Sequence, residues 1–334
     1  MKIAIVKLSA LGDIVHAMIV LQFIKKYNQE IEVDWVVEEN YKELLEYHPD
    51  INKVHVINIK KAKNKKSLFL FLTELRRVRL FGPYDFVIDM QGLIKSALIA
   101  RIIPSKLTVG FDKKSLRESL AAIFYNKKFA VSYSENIIKR NFSLVIFALG
   151  LPYKNDEIFE KNPFLYSSNK YDLKPLSNKK KKILLIIGAS FQSKCYPTEK
   201  LIEFINRLDA NYFVVWGNKN ERSIANNMQT MSKNLNVLKG LSLDELISVV
   251  IQMDLVIGPD TGPTHIAWAL NIPSITLFGP TPGYRNSLTT KINKVIESDS
   301  IVNPYKINKN DFSIKNINVA NIVKIAKLLL KVSL

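Results

Sequence analysis

Cysteine is almost absent from this sequence, and its scarcity excludes two classes of protein. Cys195 is the single cysteine among 334 residues, so neither an internal disulfide framework nor a zinc site built from several cysteines is possible. Long apolar runs are absent as well. No stretch reaches the roughly 18 apolar residues of a transmembrane helix, and the apolar start at residues 2–7 is too short for a signal peptide. We therefore expect a cytoplasmic protein.

Glycine is scarce in the loop where a dinucleotide-binding protein would need it. The loop at residues 7–13 follows the first predicted strand and contains one glycine, Gly12. It is therefore neither a G-x-G-x-x-G fingerprint nor a Walker A loop. A hydride-transfer enzyme of the Rossmann class is poorly supported.

Negative charge is in deficit. Lys and Arg number 48 against 30 Asp and Glu, which gives a net charge of +18. Such a surplus attracts polyanions such as nucleic acid, anionic lipid, or nucleotides and sugar acids. A composition bias is the alternative, because Lys, Asn and Ile are all abundant. A nucleic-acid-binding protein would show a recognisable basic module, and this sequence has none.

Two stretches of the chain alternate short apolar strands with helical patterns. The first contains strand-like runs at residues 2–7, 31–37, 54–59, 84–90 and 107–110. The second contains them at 183–188, 212–216, 237–239, 255–258 and 274–278. This alternation predicts parallel sheets covered by helices on both faces. We expect residues 288–317 to be irregular.

A change of pattern separates these two stretches. Residues 151–181 hold three prolines, little periodicity, and the start of the lysine run at 179–182. The length also suggests two domains, at about 150 residues each. We predict an α/β protein with a Rossmann-like domain at 1–155, a linker at 156–181, a second Rossmann-like domain at 182–315, and a C-terminal helix at 316–334 that packs back on the first domain. Ligands of doubly wound domains lie at the carboxyl ends of the strands, so a cleft between the domains is the expected place for chemistry.

Asp13 lies where the first strand-end loop meets a predicted helix. A carboxylate there can serve as a general base for a hydroxyl nucleophile. It can equally cap the helix, and position alone favours the cap.

The segment G-P-D-T-G-P-T-H at 258–265 follows a predicted strand and opens a short apolar helix. Pro263 suits the first helical turn, and Gly262 permits a tight turn. The backbone N–H groups of Thr261 and Gly262 would then face one spot, which suits a diphosphate. His265 could add a donor. The alternative is a capped helix with a core histidine, but loop composition and location favour the phosphate site.

Two weaker candidates follow other strands of the second domain. Ser190 and Lys194 supply a hydroxyl and an amine suited to phosphate, just after the strand at 183–188. Glu221 follows the strand at 212–216 and could bind a ribose hydroxyl pair, although a surface glutamate fits its position better.

The stretch from Lys60 to Arg79 is strongly basic. It holds eight Lys or Arg residues and one acid, Glu74, with apolar residues interleaved. Such a stretch could dock on an anionic surface, such as membrane lipid or a polyanionic glycolipid. The alternative is a solvated basic face on a core helix.

Taken together, these segments resemble the bacterial lipopolysaccharide heptosyltransferases of glycosyltransferase family 9, which have the two-domain GT-B fold. The motifs that carry the resemblance are K-L-S-A-L-G-D-I-V-H at 7–16, D-M-Q-G-L-I-K-S-A at 89–97 and D-T-G-P-T-H at 260–265. W-G-N-K-N-E at 216–221 and N-I-P-S-I-T-L-F-G-P-T at 271–281 support it in order and spacing. The segment at 89–97 is most similar to heptosyltransferase I.

The resemblance implies an inverting, metal-independent transfer of L-glycero-D-manno-heptose from ADP-heptose to the Kdo of lipid A, without a cofactor. Heptosyltransferase II, or a family member with another acceptor or sugar nucleotide, is the alternative. A nucleotide-sugar epimerase on a similar scaffold is a further one. We also expect a monomer, associated peripherally with the cytoplasmic face of the inner membrane, with no nucleic-acid partner.

The resemblance also implies roles for individual residues. Asp13 becomes the general base, which reverses the preference for a cap. The first domain binds the acceptor through Ser9, Gly12, Lys60, Lys61, Lys63, Lys95, Arg117 and Arg140. The second binds the nucleotide sugar through Ser190, Lys194, Glu221, Leu241, Asp260, Thr261, Gly262 and His265. Within this donor set, Lys194 and Ser190 face the phosphates, Glu221 the ribose, Leu241 the adenine, and Asp260 the heptose hydroxyls.

Overall fold

Two parallel sheets of six strands each carry the residues singled out above. The computed structural model describes residues 1–168, 170–174 and 179–332, without the side chains of residues 62, 63, 155 and 332. The chain divides into an N-terminal unit, Met1–Phe164, and a C-terminal unit, Leu165–Leu334. Among the described residues, no helix combines the length and apolar character that a membrane crossing requires.

The sheet of the N-terminal unit has the strand order β3-β2-β1-β4-β5-β6. Its strands are β1 (Lys2–Val6), β2 (Glu32–Glu38), β3 (Lys53–Ile57), β4 (Tyr84–Asp89), β5 (Ser105–Phe111) and β6 (Lys127–Phe129). Its helices are α1 (Leu11–Met18), α2 (Val20–Tyr27), α3 (Ile59–Asn64), α4 (Leu68–Val78), α5 (Ile94–Ile102) and α6 (Ile137–Leu149). The register sets Val6 opposite both Val36 and Asp89, so the carboxyl ends of β1, β2 and β4 meet at one edge.

The sheet of the C-terminal unit repeats this topology as β12-β11-β10-β7-β8-β9. Its strands are β7 (Lys182–Ile186), β8 (Asn211–Val215), β9 (Leu235–Val237), β10 (Leu255–Pro259), β11 (Ser274–Phe278) and β12 (Asn293–Glu297). Its helices are α7 (Thr198–Arg207), α8 (Lys219–Met231), α9 (Leu243–Ile251), α10 (Gly262–Ala269), α11 (Gly283–Asn286) and α12 (Val319–Val332).

Both sheets have the strand order of a dinucleotide-binding domain, counted from the first strand of each unit. In such sheets the order reverses between the first and fourth strands, and ligands bind outside the carboxyl ends at that point. The reversal falls between β1 and β4 in one unit and between β7 and β10 in the other. Ligands are therefore expected at the loops that follow β1, β4, β7 and β10, which are residues 7–10, 90–93, 187–197 and 260–261.

Three expectations about the chain's organisation need correction. Residues 288–317 are not wholly irregular, because β12 pairs with β11 along its full length. This edge strand has the sequence Asn-Lys-Val-Ile-Glu, with only two apolar residues, so a search for apolar runs does not find it. The edge strand β6 was missed for a similar reason, since its three residues are Lys-Lys-Phe.

The last helix is the third correction, because its apolar stripe is buried in the C-terminal unit itself. Ile322, Ala326 and Leu329 are almost fully buried in one core cluster with Leu201 and Phe204 of α7. The stripe has the spacing of one helical face, and the amphipathic α7 offers it a complementary apolar surface. The sequence-based prediction is instead that this helix packs on the first domain.

The predicted linker at 156–181 falls across the division at residue 164. Ser168 and Tyr171 lie against α9, where Ser168 Oγ donates to Asp244 Oδ2 at 2.7 Å and the Tyr171 N–H donates to Ser248 Oγ at 2.7 Å. Residues 169 and 175–178 lie outside the described part.

A buried polar cluster links β2, β3 and β4. Asp34 accepts hydrogen bonds from the Tyr84 hydroxyl at 2.6 Å and from Asn52 Nδ2 at 2.9 Å, and His55 Nε2 lies 3.3 Å from it. Burial works to raise the pKa of Asp34, but these partners and the nearby ammonium of Lys2 outweigh it and lower the pKa to about 2. The cluster therefore holds a carboxylate inside the fold.

Candidate active site

Asp13 lies in the first turn of α1, at the carboxyl edge of β1. Its Oδ2 accepts the backbone N–H of Ala10 at 3.2 Å, so it does stabilise the start of the helix. Within the described residues, its Oδ1 has no hydrogen-bond partner, and the side chain is half-exposed. One carboxylate oxygen is therefore held in place while the other can accept a proton from a bound hydroxyl. The capping role and the catalytic role are compatible.

The D-M-Q-G segment after β4 fixes the loop that precedes Asp13. Gln91 Oε1 accepts the backbone N–H groups of Leu8 at 3.1 Å and Ser9 at 3.2 Å. Lys7 is buried, and its Nζ donates to the Met90 carbonyl at 2.8 Å. The motifs at 7–16 and 89–97 thus form one structure. The sequence motif alone does not predict this role of Gln91, and the adjacency of β1 and β4 is the signal that could have identified it.

Asp89 in turn fixes the turn that carries Gln91. The side chain is fully buried; Oδ1 accepts the backbone N–H of Gln91 at 2.8 Å, and Oδ2 accepts the hydroxyls of Ser96 at 2.9 Å and Tyr125 at 2.7 Å. Burial raises the pKa of Asp89, and these hydrogen bonds act against that rise. Gly92 adopts φ +68°, and a Cβ there would lie 2.6 Å from Leu116 Cδ2, so the turn needs glycine.

Glu38, at the end of β2, is a buried carboxylate that sequence reasoning missed. It accepts the backbone N–H of Lys60 at 3.2 Å, and the ammonium of Lys95 lies 3.4 Å from it. Burial raises the pKa of Tyr41, and the charges of Glu38 and Asp13 raise it further. Both carboxylates therefore act on the same phenol. Lys95, an expected acceptor residue, lies in this group.

The other expected acceptor residues have different surroundings. Ser9 is half-buried in the loop held by Gln91, and Gly12 lies in the first turn of α1. Lys60 and Lys61 are exposed on α3. Lys63 belongs to the same helix, and its side chain lies outside the described residues. Arg117 is exposed, with its guanidinium 3.8 Å from Glu118. These acceptor roles stay predictions.

Arg140 is a correction, because its guanidinium is used inside the fold. The residue is only 3% exposed. Its Nη2 donates to the Ser115 carbonyl at 2.8 Å and its Nη1 to the Ser132 carbonyl, and the group lies over the Phe111 ring. It ties α6 to the loops around β5 and β6. An acceptor role for Arg140 would require these hydrogen bonds to break.

Asp260 is the centre of the polar cluster in the C-terminal unit. Its Oδ2 accepts from Lys194 Nζ at 2.9 Å, Thr281 Oγ1 at 2.8 Å and Asn286 Nδ2 at 3.2 Å. Its Oδ1 lies 3.0 Å from His265 Nε2. Because a carboxylate only accepts, Nε2 is the protonated ring nitrogen. Four elements therefore meet here: the loop after β7, the end of β10 with α10, the end of β11, and α11.

The electrostatics of this cluster keep Asp260 ionised. Burial by itself raises the pKa of Asp260, since the residue is 6% exposed. The charge of Lys194 and the hydrogen bond with His265 outweigh burial, and hold the pKa well below its usual range. The cluster brings together three predicted donor residues. Thr281 and Asn286 were not predicted as site residues, although the carboxyl end of β11 next to β10 could have suggested Thr281.

The start of α10 has the properties expected of an anion site. Thr261 is the N-cap residue, and Gly262 is the first helical residue and is buried. Within the described residues, the backbone N–H groups of these two have no hydrogen-bond acceptor. Thr264 Oγ1 donates to the Pro259 carbonyl at 2.8 Å, which fixes the turn. Two amides without an internal acceptor and the positive end of the helix dipole therefore coincide at this strand end.

Glu221 lies over the carboxyl end of β7. Its carboxylate accepts the Gly217 N–H at 2.6 Å and Asn218 Nδ2 at 2.7 Å. A Cβ built on Gly188 would lie 2.3 Å from the Glu221 carboxyl carbon, so glycine allows this approach. Glu221 is half-buried and oriented by its neighbours, unlike an ordinary surface glutamate.

Ser190 and Leu241 complete the donor set. Ser190 is exposed in the loop after β7, four residues before Lys194. Leu241 is half-buried, and follows a turn held by the hydrogen bond from Trp216 Nε1 to the Leu238 carbonyl at 2.9 Å. Their roles toward phosphate and adenine stay predictions. Among the described residues, no group of three or more His, Cys, Asp or Glu side chains could hold a metal ion.

Comparison with known proteins identifies the family. The sequence model of glycosyltransferase family 9 (heptosyltransferase) matches residues 73–312. The chain belongs to this family. Lipopolysaccharide heptosyltransferase 1 of Campylobacter coli is 40% identical to this family 9 chain, and the alignment covers 98% of each protein. The enzyme of the same name from Pseudomonas aeruginosa is 31% identical over 85% of this chain and 80% of its own length.

Solved structures agree on the fold of this family 9 member. The E. coli heptosyltransferase WaaC with ADP superposes with a TM-score of 0.81 at 24% identity, covering 98% of this chain and all of that one. E. coli ADP-heptose lps heptosyltransferase II gives a TM-score of 0.72 at 18% identity, covering 99% and 98%. The predicted family and the predicted fold class, GT-B with two Rossmann-like sheets, are confirmed.

Proposed function

We propose that this chain transfers L-glycero-D-manno-heptose from ADP-heptose to the Kdo of lipid A, with inversion at the anomeric carbon. The broader activity, ADP-heptose:lipopolysaccharide heptosyltransferase, follows from its family and from the 40% identity to a lipopolysaccharide heptosyltransferase 1 along nearly the whole chain. The observation that carries the proposal is the pairing of Lys194 with Asp260 beside the open amides of α10.

The donor diphosphate is proposed to bind at the start of α10. The N–H groups of Thr261 and Gly262 lie at a helix N-terminus, where phosphates commonly bind, and Lys194 supplies a full positive charge. Asp260, at 2.9 Å from Lys194, then accepts hydrogen bonds from heptose hydroxyls. Glu221 accepts the ribose hydroxyls, because Gly217 and Asn218 hold its carboxylate in place and each carboxylate oxygen can accept a further hydrogen bond.

The chemical step is proposed to be a single displacement. The acceptor hydroxyl oxygen forms a bond to the anomeric carbon as the bond from that carbon to the β-phosphate oxygen breaks. Asp13 takes the hydroxyl proton, and ADP leaves with the electron pair. Lys194, His265 and the α10 amides stabilise the charge that develops on the β-phosphate. Since attack comes from the face opposite ADP, the configuration inverts.

The two units are proposed to divide the substrates between them. Asp13, Ser9, Lys60 and Lys95 serve the acceptor in the N-terminal unit, and the residues around Asp260 serve the donor. Because the acceptor is a membrane glycolipid, we propose that the protein works at the cytoplasmic face of the inner membrane.

The test combines the purified protein with ADP-heptose, Kdo-lipid A and EDTA, and reads the product by mass spectrometry. We expect the acceptor to gain one heptose, with loss of ADP from the donor. If the folded enzyme reacts only with an acceptor that already carries one heptose, heptosyltransferase II is the better assignment. Conversion of the donor without any acceptor would instead indicate an epimerase. Asp13→Asn in the same assay tests the base.

A further inference from the structure

Helix α4 has two faces with different surroundings. Val78 is fully buried in the core of the N-terminal unit, and Phe71 packs against that core. The helix also contacts α3 and α5. Its inner face is therefore satisfied by the fold, and the rest of the helix is available for another role.

The outer face of α4 exposes large apolar side chains. Leu68, Phe69 and Leu72 are 69%, 75% and 45% exposed, and Leu80, just beyond the helix, is 82% exposed. Single exposed apolar residues are ordinary on a protein surface. Four within 13 residues of one element form a patch, and such patches mark interaction sites.

Unpaired positive charges surround this patch. Lys65, Lys66, Arg76 and Arg79 are all exposed. No described carboxylate lies within ion-pair distance of any of the four. Glu74, the single acid between residues 60 and 80, is paired with Arg77 at 2.7 Å. The exposed side of α4 and of the residues that flank it therefore combines apolar side chains with four cations: Arg76 on the helix, Lys65 and Lys66 before it, and Arg79 after it.

This combination fits one kind of partner. Anionic lipid headgroups attract clustered Lys and Arg side chains, while the boundary between headgroups and acyl chains accepts apolar side chains. A free polyanion would account for the cations but not for the apolar patch. We propose that the outer face of α4 docks the N-terminal unit on an anionic lipid bilayer. Leu68, Phe69, Leu72 and Leu80 enter the interface, and the four cations contact lipid phosphates.

This docking rests on the proposed function only in that the acceptor resides in a membrane. The docking surface is next to a predicted acceptor residue, because α3, which carries Lys60, packs directly against α4. None of the docking residues belongs to the acceptor or donor set. The two proposals can therefore fail separately.

The test is sedimentation of the full-length protein with phosphatidylcholine vesicles, with and without phosphatidylglycerol. We expect binding only to the anionic vesicles, and weaker binding as salt rises. Phe69→Ser with Leu72→Ser should weaken that binding about tenfold or more, because two inserted side chains are lost. Lys65→Ser with Lys66→Ser should weaken it and reduce its salt dependence. Leu328→Ser and Lys324→Ser on the exposed face of α12 are matched controls, and should bind like the wild type.

Several results would overturn the docking. Equal binding to neutral and anionic vesicles would do so, as would unchanged binding by the folded α4 variants. Binding only to vesicles that contain Kdo-lipid A would assign the patch to the acceptor instead. Heptose transfer to a deacylated, water-soluble Kdo acceptor keeps the tests apart, because the α4 variants should match the wild type there. If the wild type transfers no heptose to this soluble acceptor but still binds anionic vesicles, the proposed function is refuted and the docking is not.

Discussion

The Lys194–Asp260 pair makes the sharpest prediction, because the carboxylate is buried and its partners are defined. Lys194→Met removes the cation at 2.9 Å but keeps a side chain of similar length. Removing one partner of a buried pair usually costs about 3–5 kcal/mol, since a charge stays buried without compensation. Here Thr281, Asn286 and His265 still donate to Asp260. We therefore expect the free energy of unfolding to fall by about 2–4 kcal/mol at pH 7.

The same substitution should weaken nucleotide binding, because Lys194 is proposed to meet the diphosphate. The measurements are urea unfolding followed by circular dichroism, and calorimetric titration with ADP. Asp260→Asn alone and the double variant complete a cycle. The double variant should be more stable than the sum of the single effects predicts, because no uncompensated charge remains in it. A cost below about 0.5 kcal/mol for Lys194→Met, or strictly additive effects, would refute the argument that this pair is electrostatically coupled.

Three further predictions follow from other parts of the fold. Asp13→Asn should lower turnover by about 10²–10⁴-fold with little change in the unfolding temperature, as measured by product formation and thermal scans. If the variant keeps the turnover of the wild type, Asp13 is not the base. Gln91→Ala should lower the free energy of unfolding by about 1–2 kcal/mol and lower turnover, because two backbone N–H groups lose their acceptor. Gln91→Glu keeps an acceptor and should recover most of the stability. Equal losses of stability in both variants would contradict this positioning role. The fold lowers the pKa of Asp34 to about 2, so its contribution of about 2 kcal/mol to stability is present above pH 4 and is lost as pH falls toward 2. In Asp34→Asn, the free energy of unfolding should therefore depend less on pH between 4 and 2. An unchanged pH dependence in that range would count against this role of Asp34.

Much of the fold could be predicted because parallel strands buried on both faces are continuous apolar runs. Each of the strands β1, β2, β4, β7, β8, β10 and β11 overlaps a predicted run, and their ends agree with the prediction to within two residues. The short edge strands β6 and β12 could not, because half-exposed residues such as those of Asn293–Glu297 carry no such run. The apolar pattern of the sequence also did not predict where α12 packs. Its stripe predicts an apolar contact but does not specify which surface provides it.

The candidate site shows the same division. Lys194 and His265 became candidates because they follow strands at the edge where such sheets bind ligands, whereas the roles predicted for Asp13 and Asp260 came from the family resemblance. Arg140 was misassigned because a basic residue in sequence does not reveal whether its guanidinium is exposed or bonded to carbonyls. Glu38 and Asn286 were missed, since each acquires meaning only from a partner many residues away.

The sequence by itself determined the family, the two repeated α/β patterns and the strand-end loops, because local apolar periodicity and short motifs encode them. The tertiary structure alone decided that Gln91 holds the Asp13 loop, that Thr281 and Asn286 complete the Asp260 cluster, and that α4 presents Phe69 outward. The reason is physical. Strand order and helix packing bring together side chains separated by long stretches of chain, and no local pattern records which of them will meet.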